Sequence, residues 1–526
     1  MLETIGPDET DLPCPHARRR VDGGGVGGDG LRERGVRAGS EQGERDEESG
    51  EERGTVSAWH DGPGERARQG AEAALRAHAW PAAVSGALAR LRGAGGHAWL
   101  VGGTVRDVLL GRPAPGEIDV ATDLLPGRVR EVFERTEPIG EAHGTVLVLH
   151  EGARIECTTL RREGEYADAR HPDRVWFTTD PLEDLDRRDL TVNAMAFDPE
   201  SGVLLDPHEG TRDLARRVLR AVGDPLARFR EDALRPLRVA RFAAVLGMEV
   251  EPAKRAALGG ARDRGERLAA ERVRAELEKL VLSPRPSVGL EILREADLLS
   301  LWLPELQACR GVPQNRFHAY DVYFHSIYSC DAAPAAKPAV RWAALLHDIG
   351  KPATRVERHG DGTFYHHEAV GADLARGLLE RLRFPARFTD RVVHLVREHM
   401  FDYKRGWSDA AVRRWLRRVG PEHVADLFDL RIADSAGNGL RSGNPIYLGE
   451  MGARIDRLLA EGAALSVADL AIGGEDVMLA LGIGPGRRVG EALSALLEEV
   501  LEDASRNDRE TLLARLAEWR GRTPSA

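Results

Sequence analysis

The sequence predicts an α+β fold in which a small mixed-sheet domain precedes a long all-α body. Strand-like and helical patterns alternate across residues 95–205, which is typical of a domain built from both element types. After about Gly223 the strand patterns fade, and helical periodicity continues to the C terminus. Gly- and Pro-containing loops at 308–316 and 482–486 interrupt this helical part.

The bulk composition favours a water-soluble, multidomain protein. A chain of 526 residues with 42% hydrophobic residues can form several cores. A formal net charge of −11 gives no overall attraction to nucleic acid, so an RNA site requires a local basic patch. The four cysteines form no CxxC pair, which argues against a zinc ribbon and favours the reducing cytoplasm. The sequence contains no signal peptide and no apolar run long enough to cross a membrane.

Residues 1–75 differ from the rest of the chain. They contain the Gly-rich run GGGVGGDG and the charged run ERDEESGEERG, and no aromatic residue precedes Trp59. Such a composition has little to bury, so we predict a disordered low-complexity tail. We expect order to begin near Ala73, with an amphipathic helix from Pro81 to Leu91.

Five short segments then alternate or concentrate apolar residues as strands do: HAWLVGG, EIDVAT, GTVLVLH, ARIECTT and TVNAMAFDP. The first leads into the turn Gly102-Gly103 and a helix that begins near Thr104. Paired glycines let the backbone approach a phosphate closely, and a helix N terminus offers free N–H groups to an anion. Arg106, one turn into the helix, can reach the same phosphate. An ordinary strand-to-helix turn has the same pattern, so this motif alone is weak.

Three carboxylates accompany that turn. Alternation places Glu117 and Asp119 on one face of the strand EIDVAT, with Ile118 turned to the core. Glu156 lies on the strand ARIECTT. Neighbouring carboxylates repel unless a cation lies between them, and Mg²⁺ prefers carboxylate and phosphate oxygens. Three acids beside a phosphate-binding turn suit two-metal phosphoryl transfer, although each acid alone is equally typical of a solvated strand residue.

The segment GGTVRDVLLGR…EIDVAT resembles the signature of the class II (bacterial-type) tRNA nucleotidyltransferase and poly(A) polymerase family. The resemblance continues in order through IECTTLRREGEYADARHPDRVWF, DLDRRDLTVNAMAFDP, GDPLARFREDALRPLRVARFAA and ERVRAELEKL. It implies a palm-like nucleotidyltransferase head at 76–222 and a helical nucleotide-selecting neck at 223–300. It also implies Mg²⁺ as cofactor, and the tRNA 3′ end, CTP and ATP as partners.

The resemblance further implies roles for individual residues. The implied catalytic acids are Glu117, Asp119 and Glu156, and Glu117 and Asp119 are the implied Mg²⁺ ligands. The implied nucleotide-binding residues are Gly102, Gly103, Arg106, Asp107, Arg188, Asp232, Arg235, Arg238 and Arg241.

Base selection can be reasoned from Asp232 and Arg235. Residues three apart are neighbours on a helix. A carboxylate accepts from the exocyclic amine of C or A, and a guanidinium donates to the adjacent acceptors, whereas U and G reverse part of this pattern. An ordinary ion pair has the same spacing. Because steps of three drift by about 60° around a helix, Arg241 is expected to face away from Asp232 unless the substrate spans the helix.

Two positions depart from the family pattern. Glu117 stands where the family usually has Asp, and the extra methylene is a length that octahedral Mg²⁺ tolerates poorly, so we expect reduced or altered activity. Pro236 follows Arg235 directly and removes a backbone donor, which predicts a kink in the base-selecting helix.

A second set of polar residues lies within 314–434, in a part of the chain that is otherwise apolar and helical. A His-Asp pair on an apolar helix is costly to bury without a partner, and imidazole with carboxylate suits a transition metal, Mg²⁺ or Mn²⁺. The ordered set resembles the HD-domain phosphohydrolase pattern and implies an HD domain at 301–440. The implied metal ligands are His325, His347, Asp348 and Asp434, with His367 and His399 completing a second site.

The block ADLAIGGEDVMLALGIGPGRRVGEAL resembles the tail of HD-containing family members, which implies a helical tRNA-binding region at 441–526. Its Gly-rich turn lies beside Arg487 and Arg488, and backbone amides with arginines suit phosphate contacts. A second basic patch is predicted on the helix that carries Arg413, Arg414, Arg417 and Arg418. A solvated charged face fits both segments equally well.

The favoured hypothesis is a Mg²⁺-dependent tRNA nucleotidyltransferase that uses CTP and ATP and carries an HD domain. Whether such an enzyme adds CCA, CC, only A, or poly(A) stays open. The segment Arg161–Phe177 resembles the mobile loop of enzymes that handle both bases, which favours CCA or A addition. Two alternatives are an HD phosphohydrolase with a silenced transferase site and a catalytically idle RNA-binding protein; the HD pocket can also serve only as a scaffold. The oligomeric state is open.

Overall fold

The structure is a computed structural model that describes residues 63–113, 116–140, 144–163, 175–316, 318–358, 361–440, 443 and 445–522. Residues 1–62 of the predicted tail therefore lie outside the described residues. Its boundary at 75 is wrong, because helix α1 (Pro63–Ala77) buries Leu75 completely in the core. The next helix, α2, spans Ala82–Gly93, so it starts one residue and ends two residues later than predicted. Pro81 precedes it as the N-cap.

In the described part of the chain, the head is built on one mixed sheet of seven strands in the order β3-β4-β5-β2-β1-β8-β9. Strands β2 and β5 are parallel, and the other neighbours are antiparallel. The strand bounds are β1 (Ala98–Val101), β2 (Glu117–Thr122), β3 (Thr136–Gly140), β4 (Thr145–His150), β5 (Ala153–Thr159), β6 (Arg161–Glu163), β7 (Val175–Phe177), β8 (Ala196–Asp198) and β9 (Val203–Leu205). Strands β6 and β7 form a separate antiparallel pair.

Helices of the head cover this sheet. After α1 and α2 they are α3 (Gly102–Leu109), α4 (Pro126–Val132), α5 (Pro181–Asp186) and α6 (Gly210–Arg216). In β2, Ile118 and Val120 are buried, while Glu117 and Asp119 lie on the opposite face, as the alternation predicts. The apolar face therefore anchors the strand and leaves its acids at the surface of the sheet.

The neck consists of helices that pack around α8. Two short strands, β10 (Val218–Leu219) and β11 (Glu249–Val250), pair in parallel beside it. Its helices are α7 (Pro225–Glu231), α8 (Arg235–Leu246), α9 (Pro252–Ala257), α10 (Arg262–Gly265), α11 (Ala270–Val281) and α12 (Pro286–Glu295).

The predicted kink at Pro236 does not occur. Asp232 ends α7 with extended backbone angles (φ −132°, ψ 108°), and a new helix, α8, starts at Arg235. Pro236 lies in the first turn of α8, where a missing N–H costs nothing because that donor has no partner in a helix. Asp232 and Arg235 are therefore not neighbours on one helix, and the predicted i,i+3 arrangement is wrong.

The remaining helical body holds the histidines in one apolar core that is continuous with the neck and the sheet. Its elements are α13 (Leu299–Trp302), α14 (Pro304–Gln307), α15 (Val322–Ala332), α16 (Pro338–Leu346), α17 (Lys351–Thr354), α18 (His367–Arg381), α19 (Ala386–Glu398), α20 (Asp409–Val419), α21 (Val424–Gly437), α22 (Tyr447–Ala460) and the hairpin β12 (Arg355–Arg358)–β13 (Asp361–Phe364). No helix in the described ranges is both long and apolar enough to cross a membrane.

The C-terminal helices have a second, smaller core. They are α23 (Gly474–Leu481), α24 (Arg487–Glu502) and α25 (Arg509–Arg522). The four arginines predicted as a basic patch on α20 are engaged within the protein. Arg413 is buried and donates to the carbonyls of Leu501 and Glu502, and the other three pair with carboxylates: Arg414 with Glu502, Arg417 with Glu498 and Arg418 with Glu398. These contacts hold α20 against its neighbours, while the side chains of Arg414 and Arg418 stay 47% and 58% exposed. The basic patch as an RNA contact therefore stays a prediction.

Candidate active site and metal centre

Asp119 is fixed at the centre of the sheet by the glycine turn. The backbone N–H of Gly103 donates to Asp119 Oδ2 at 3.1 Å, and the backbone N–H of Asp119 donates to Thr104 Oγ1 at 2.8 Å. Burial raises the pKa of Asp119, and the nearby Arg188 and the Gly103 amide oppose this shift. The turn therefore orients the carboxylate as well as opening the helix α3.

Glu156 lies directly beside Asp119. The two residues are register partners on the parallel strands β2 and β5, so their side chains share one face. Burial raises the pKa of Glu156, and the negative charges of Asp119 and Glu117 raise it further. Two close carboxylates that disfavour each other's charge fit a divalent cation, which removes that repulsion.

Glu117 occupies a different environment from the other two acids. Its side chain is 47% exposed, and its Oε1 accepts from Arg154 Nη2 at 2.7 Å. Within the described residues, Glu117 and Asp119 belong to no group of three ligand atoms that lie within 4.8 Å of one another. The structure thus places the first predicted Mg²⁺ ligand at the rim, in an ion pair.

The glycine turn allows a close approach of backbone and guanidinium. Gly102 has a left-handed φ of +60°, which glycine adopts at no steric cost. A Cβ at this position would lie 2.8 Å from Arg188 Nη1, and a Cβ at Gly103 would lie 3.1 Å from Asp119 Oδ2. Any larger residue would therefore displace either the arginine or the acid.

Two arginines beside the turn are held by networks of acceptors. Arg106 is buried; it donates to both carboxylate oxygens of Asp107 at 2.9 Å and to Asn193 Oδ1 at 2.6 Å. Arg188 donates to Asp184 Oδ2 at 3.0 Å and to the carbonyl of Asn193 at 3.2 Å. The guanidinium groups are therefore positioned before any ligand arrives.

A cavity of about 780 Å³ brings most of the predicted residues together. Those that line it are Gly102, Gly103, Arg106, Asp119, Glu156, Arg188, Asp232, Arg235, Arg238 and Arg241. Asp107 and Glu117 instead line a smaller adjoining space of about 590 Å³. The larger cavity combines several arginines with four acids, Asp119, Glu156, Asp189 and Asp232, a chemistry that suits a nucleoside triphosphate with its cation.

The cavity floor is organised around Asp232. Its Oδ1 accepts from the backbone N–H of Leu234 and its Oδ2 from Arg272 Nη2, both at 3.0 Å. Arg235 pairs with Glu231 at 2.7 Å. Asp232 lies in the turn before α8 and not on that helix, so the angular drift along a helix does not determine which α8 residues it faces. Arg241, expected to face elsewhere, lines the same cavity as Asp232.

Two carboxylates hold Arg238 and Arg241 in place. Arg238 Nε donates to Asp189 Oδ2 at 2.7 Å, and Arg241 Nε donates to Glu276 Oε2 at 2.5 Å. Burial opposes the charge of Asp189, but Arg238, Asn193 and Arg235 together hold the pKa of this carboxyl far below its ordinary value. Arg241 also stacks over the Phe242 ring at 3.8 Å.

The histidines of the helical body converge on two adjoining groups that share Asp348. His325, His347 and Asp348 form one group, and Asp348, His367 and His399 form the other; within each, the ligand atoms lie within 4.8 Å of one another. Asp434 completes the first group, since its Oδ1 lies 3.2 Å from His325 Nε2. Asp348 turns Oδ2 to the first group and Oδ1 to the second.

Hydrogen bonds to backbone carbonyls orient three of these imidazoles for a cation. The Nδ1 atoms of His347, His367 and His399 lie 2.9, 2.7 and 2.7 Å from backbone carbonyls. A carbonyl only accepts, so Nδ1 carries a proton, and Nε2 offers its lone pair once a cation takes the place of any proton there. Burial lowers the pKa of His347, but Asp348 and Asp434 together raise it above its ordinary value. The Nε2 atoms of His325 and His347 lie 3.1 Å apart, and those of His367 and His399 lie 3.3 Å apart. Converging lone pairs of this kind fit a divalent metal centre.

Charges around the centre keep its carboxylates ionised. Lys351 Nζ donates to Asp348 Oδ2 at 2.6 Å and to Gln314 Oε1 at 2.7 Å. Burial opposes the charge of Asp348, but His347 and Lys351 hold its pKa well below the ordinary value. Burial also lowers the pKa of His399 to about 3, which keeps this imidazole neutral.

Comparison with known proteins agrees with both sites. The poly A polymerase head domain family matches residues 98–220, the HD domain family matches 317–437, and the family described as "Probable RNA and SrmB- binding site of polymerase A" matches 247–309. A CCA-adding enzyme of Limosilactobacillus fermentum is 33% identical over 431 residues, which are 81% of this chain and 94% of that protein. Another, from Geobacillus thermodenitrificans, is 33% identical over 447 residues, covering 83% and 96%.

The chain belongs to the CCA-adding enzymes. The crystal structure of the Bacillus stearothermophilus CCA-adding enzyme in complex with CTP is 28% identical and superimposes with a TM-score of 0.64, over 84% of this chain and 97% of that one. The Thermotoga maritima CCA-adding enzyme complexed with tRNA shares the fold at 18% identity and a TM-score of 0.50, over 85% and 98% of the two chains. The predicted α+β class and the tRNA nucleotidyltransferase family are thereby confirmed.

Several residues of this CCA-adding enzyme site were absent from the predicted set. Asn193, Asp189, Glu276 and Arg272 each hold a cavity arginine or Asp232. All four lie inside the sequence blocks that carry the family resemblance. Their signal was available as polar residues within otherwise apolar elements, but their partners are distant in sequence. Asp107, in contrast, holds Arg106 and does not line the larger cavity.

Proposed function

We propose that this chain adds C and A nucleotides, taken from CTP and ATP, to the 3′ end of tRNA in the 780 Å³ cavity. The observation that carries the proposal is the pairing of Asp119 and Glu156 in register beside the Gly102-Gly103 turn. The arginines of the cavity supply the positive charge that a triphosphate requires, although the chain as a whole has a net charge of −11.

The nucleotide triphosphate is held by the turn and by the two prepositioned arginines. Gly102 and Gly103 carry no side chain, so the phosphates can approach the start of α3 closely, where the positive end of the helix dipole favours an anion. Arg106 and Arg188 are oriented by Asp107, Asn193 and Asp184. Their guanidinium groups neutralise phosphate oxygens without reorganising during the reaction.

Asp119 and Glu156 would hold Mg²⁺ together with the phosphates, and Glu117 is the third candidate ligand. The cation supplies neutralisation of the charge that develops on the attacking and leaving oxygens. Our assignment of Mg²⁺ rests on the all-carboxylate donor set, which hard cations prefer. The pKa values of Asp119 and Glu156 are raised, so their charged forms are disfavoured without a cation and would be stabilised by one.

In the transfer itself, the oxygen of the terminal 3′-hydroxyl forms a bond to the α-phosphorus while the bond to pyrophosphate breaks. Glu156 is the residue that we assign to accept the hydroxyl proton. Its carboxylate is partly buried and lines the cavity, and the carboxylate oxygen that does not bind the cation would accept the proton.

Selection of C and A falls to Asp232 and the arginines of α8. Arg272 and the Leu234 amide fix the Asp232 carboxylate, so it presents acceptors to an exocyclic amine. Arg235 lines the same cavity. Its guanidinium is held by Glu231 and by the carbonyls of Arg228 and Arg187, so donation to a base would replace one of these contacts. This pattern complements the edges of cytosine and adenine and opposes those of uracil and guanine.

The experiment for this proposal uses tRNAs that end before CCA, after C, and after CC. Each is offered CTP alone, ATP alone, or both, with Mg²⁺, and the products are sized to single nucleotides. We expect growth to CCA and no further. Growth only on the CC-ended tRNA would assign addition of the final A, and a long A tail would assign poly(A) synthesis.

A second activity is favoured by the six-ligand histidine centre, and we propose that it hydrolyses phosphoesters, including terminal 2′,3′-cyclic phosphates. His325, His347, Asp348 and Asp434 would hold one divalent cation, and Asp348, His367 and His399 another. The cations supply charge neutralisation of the phosphate. Lys351, bonded to Asp348, adds a positive charge for the substrate. Mixed imidazole and carboxylate ligands accept Mn²⁺ and transition metals as well as Mg²⁺.

This second activity is tested on an RNA oligonucleotide with a terminal 2′,3′-cyclic phosphate. We expect ring opening with at least one of Mn²⁺, Ni²⁺ or Mg²⁺, loss of opening in Asp348→Ala, and retention in Asp119→Asn. No opening with any of these metals would assign the centre a scaffold role. We also propose a cytoplasmic location, which the buried free thiols of Cys157, Cys309 and Cys330 support.

A further inference from the structure

Glu117 and Arg154 face each other at the rim of the acid-lined surface. They are register partners on β2 and β5, two pairs before Asp119 and Glu156. Arg154 donates from Nε at 2.9 Å and from Nη2 at 2.7 Å, both to Oε1 of Glu117. Their side chains are 51% and 47% exposed, so either can rotate into solvent.

Three carboxylates and this one guanidinium share a face of the two strands. The charge of Glu117 contributes to the raised pKa of Glu156, so Glu117 is close enough to act on the Asp119–Glu156 pair. Its carboxylate nevertheless points to Arg154. The 590 Å³ space lined by Glu117, Asp119 and Arg154 leaves room for Glu117 to turn toward Asp119.

We propose that Arg154 is a positioning residue that competes with the divalent cation for Glu117. In the unloaded protein the guanidinium neutralises Glu117 at the rim, and cation binding recruits Glu117 only by displacing Arg154. This inference rests on the proposed transferase function, because it concerns the cation that Asp119 and Glu156 hold. Cation binding must break the Glu117–Arg154 ion pair. Because an exposed ion pair contributes little free energy, Arg154 weakens cation affinity about twofold to fivefold.

The test measures Mn²⁺ binding to the full-length chain by electron paramagnetic resonance of free Mn²⁺. CTP is present and RNA is absent, so no transfer takes place. Asp119→Asn identifies the class of sites that belongs to the transferase centre, as distinct from the histidine centre. The variants Arg154→Gln, Glu117→Gln and the double variant then form a double-mutant cycle, with Arg128→Gln, an exposed arginine of α4, as the surface control.

We expect Arg154→Gln to tighten Mn²⁺ binding at the transferase centre about twofold to fivefold and to leave the histidine centre unchanged. In the Glu117→Gln background the same change should have no effect. Unchanged or weaker binding in Arg154→Gln would overturn the inference, and so would equal tightening in both backgrounds. If Asp119→Asn removes no class of sites, the proposed transferase centre itself fails, which distinguishes that failure from a failure of Arg154 alone.

Discussion

The backbone amide of Gly103 donates to the carboxylate of Asp119 at 3.1 Å, which joins the phosphate-binding turn to the acid beside which transfer is proposed to occur. Gly102, the residue before it, has a φ of +60° and leaves 2.8 Å between an added Cβ and Arg188 Nη1. The turn, the acid and the arginine therefore form one geometric unit, and a change in the turn disturbs the other two.

Gly102→Ala tests this unit. The left-handed backbone costs an alanine about 1 kcal/mol or more, and the methyl group displaces Arg188. We expect kcat/KM for CTP addition to fall by about tenfold to a hundredfold, the effect of misplacing a positioning group by about 1 Å. Gly111→Ala is the matched control, because Gly111 has a φ of +64° and open space around its Cβ. Equal losses in both variants would contradict the role of Arg188.

Arg272→Met tests whether Arg272 sets base choice through Asp232. Loss of this charged hydrogen bond frees one oxygen of the Asp232 carboxylate. We expect the discrimination between CTP and UTP, measured as the ratio of their kcat/KM values, to fall about tenfold. Arg274→Met, two residues further on α11, is the control, since Arg274 pairs with Glu278. Unaltered discrimination in Arg272→Met would remove Asp232 from base selection.

Lys254 provides a pH-dependent stability test. Its side chain is fully buried, and burial lowers its pKa to about 7, partly offset by the charge of Asp189. Between pH 7 and the ordinary pKa of about 10.5, the unfolded chain binds the proton more strongly, so stability from this group rises with pH. Below pH 7 Lys254 is protonated in both the folded and the unfolded chain, so the full free-energy cost of burying its charge is present.

The Lys254→Met variant should therefore gain stability over the wild type most at pH 7 and below, and the gain should shrink toward pH 9. Urea unfolding of both proteins at pH 6, 7, 8 and 9 measures this difference directly. Lys404→Met, at an exposed lysine, controls for the change of residue type. A difference that does not vary with pH would contradict the lowered pKa.

Asp348 should bind both cations of the histidine centre, because its two oxygens face different groups. We expect Asp348→Ala to lose both bound Mn²⁺ ions and His399→Ala to lose one, as counted by elemental analysis after gel filtration. The thermal midpoint should rise on Mn²⁺ addition in the wild type and not in Asp348→Ala, since an ion that binds only the folded state stabilises it. Equal metal content in the two variants would contradict a shared carboxylate.

The sequence predicts the sheet-then-helix architecture because local patterns determine it. Alternation in EIDVAT places Asp119 on the open face, and the structure confirms that placement with Ile118 and Val120 buried. The glycine turn before a helix is equally local. The order of motifs along the chain was therefore sufficient for the fold class.

Contacts between distant segments could not be predicted in this way. Alternation fixes the face of Glu117, but its partner Arg154 follows only from β2 and β5 being parallel neighbours. Arg272 reaches Asp232 across 40 positions in the sequence. On α20, Arg414 and Arg417 pair with carboxylates of α24 that are more than 80 residues away in the sequence, so the sequence shows the basic stripe without these partners.

The break at Asp232 was missed for a different reason. A continuous helical pattern runs through REDALRPLRV and predicts a kink at Pro236 within one helix. Proline is equally suited to the first turn of a new helix, and the extended backbone of Asp232 makes room for that start. Periodicity alone does not distinguish these two cases.

The most direct test of the central claim compares the wild type with Asp119→Asn on a tRNA that ends before CCA, with CTP, ATP and Mg²⁺ present and Asp123→Asn as control. Asp123 lies just beyond the same strand and bonds to His97 instead of lining the cavity. We predict three added nucleotides, CCA, in the wild type and the control, and at least a hundredfold slower addition in Asp119→Asn, because cation stabilisation of the transition state is worth several kcal/mol. Undiminished addition in Asp119→Asn, or no addition by the wild type, would contradict the proposed site.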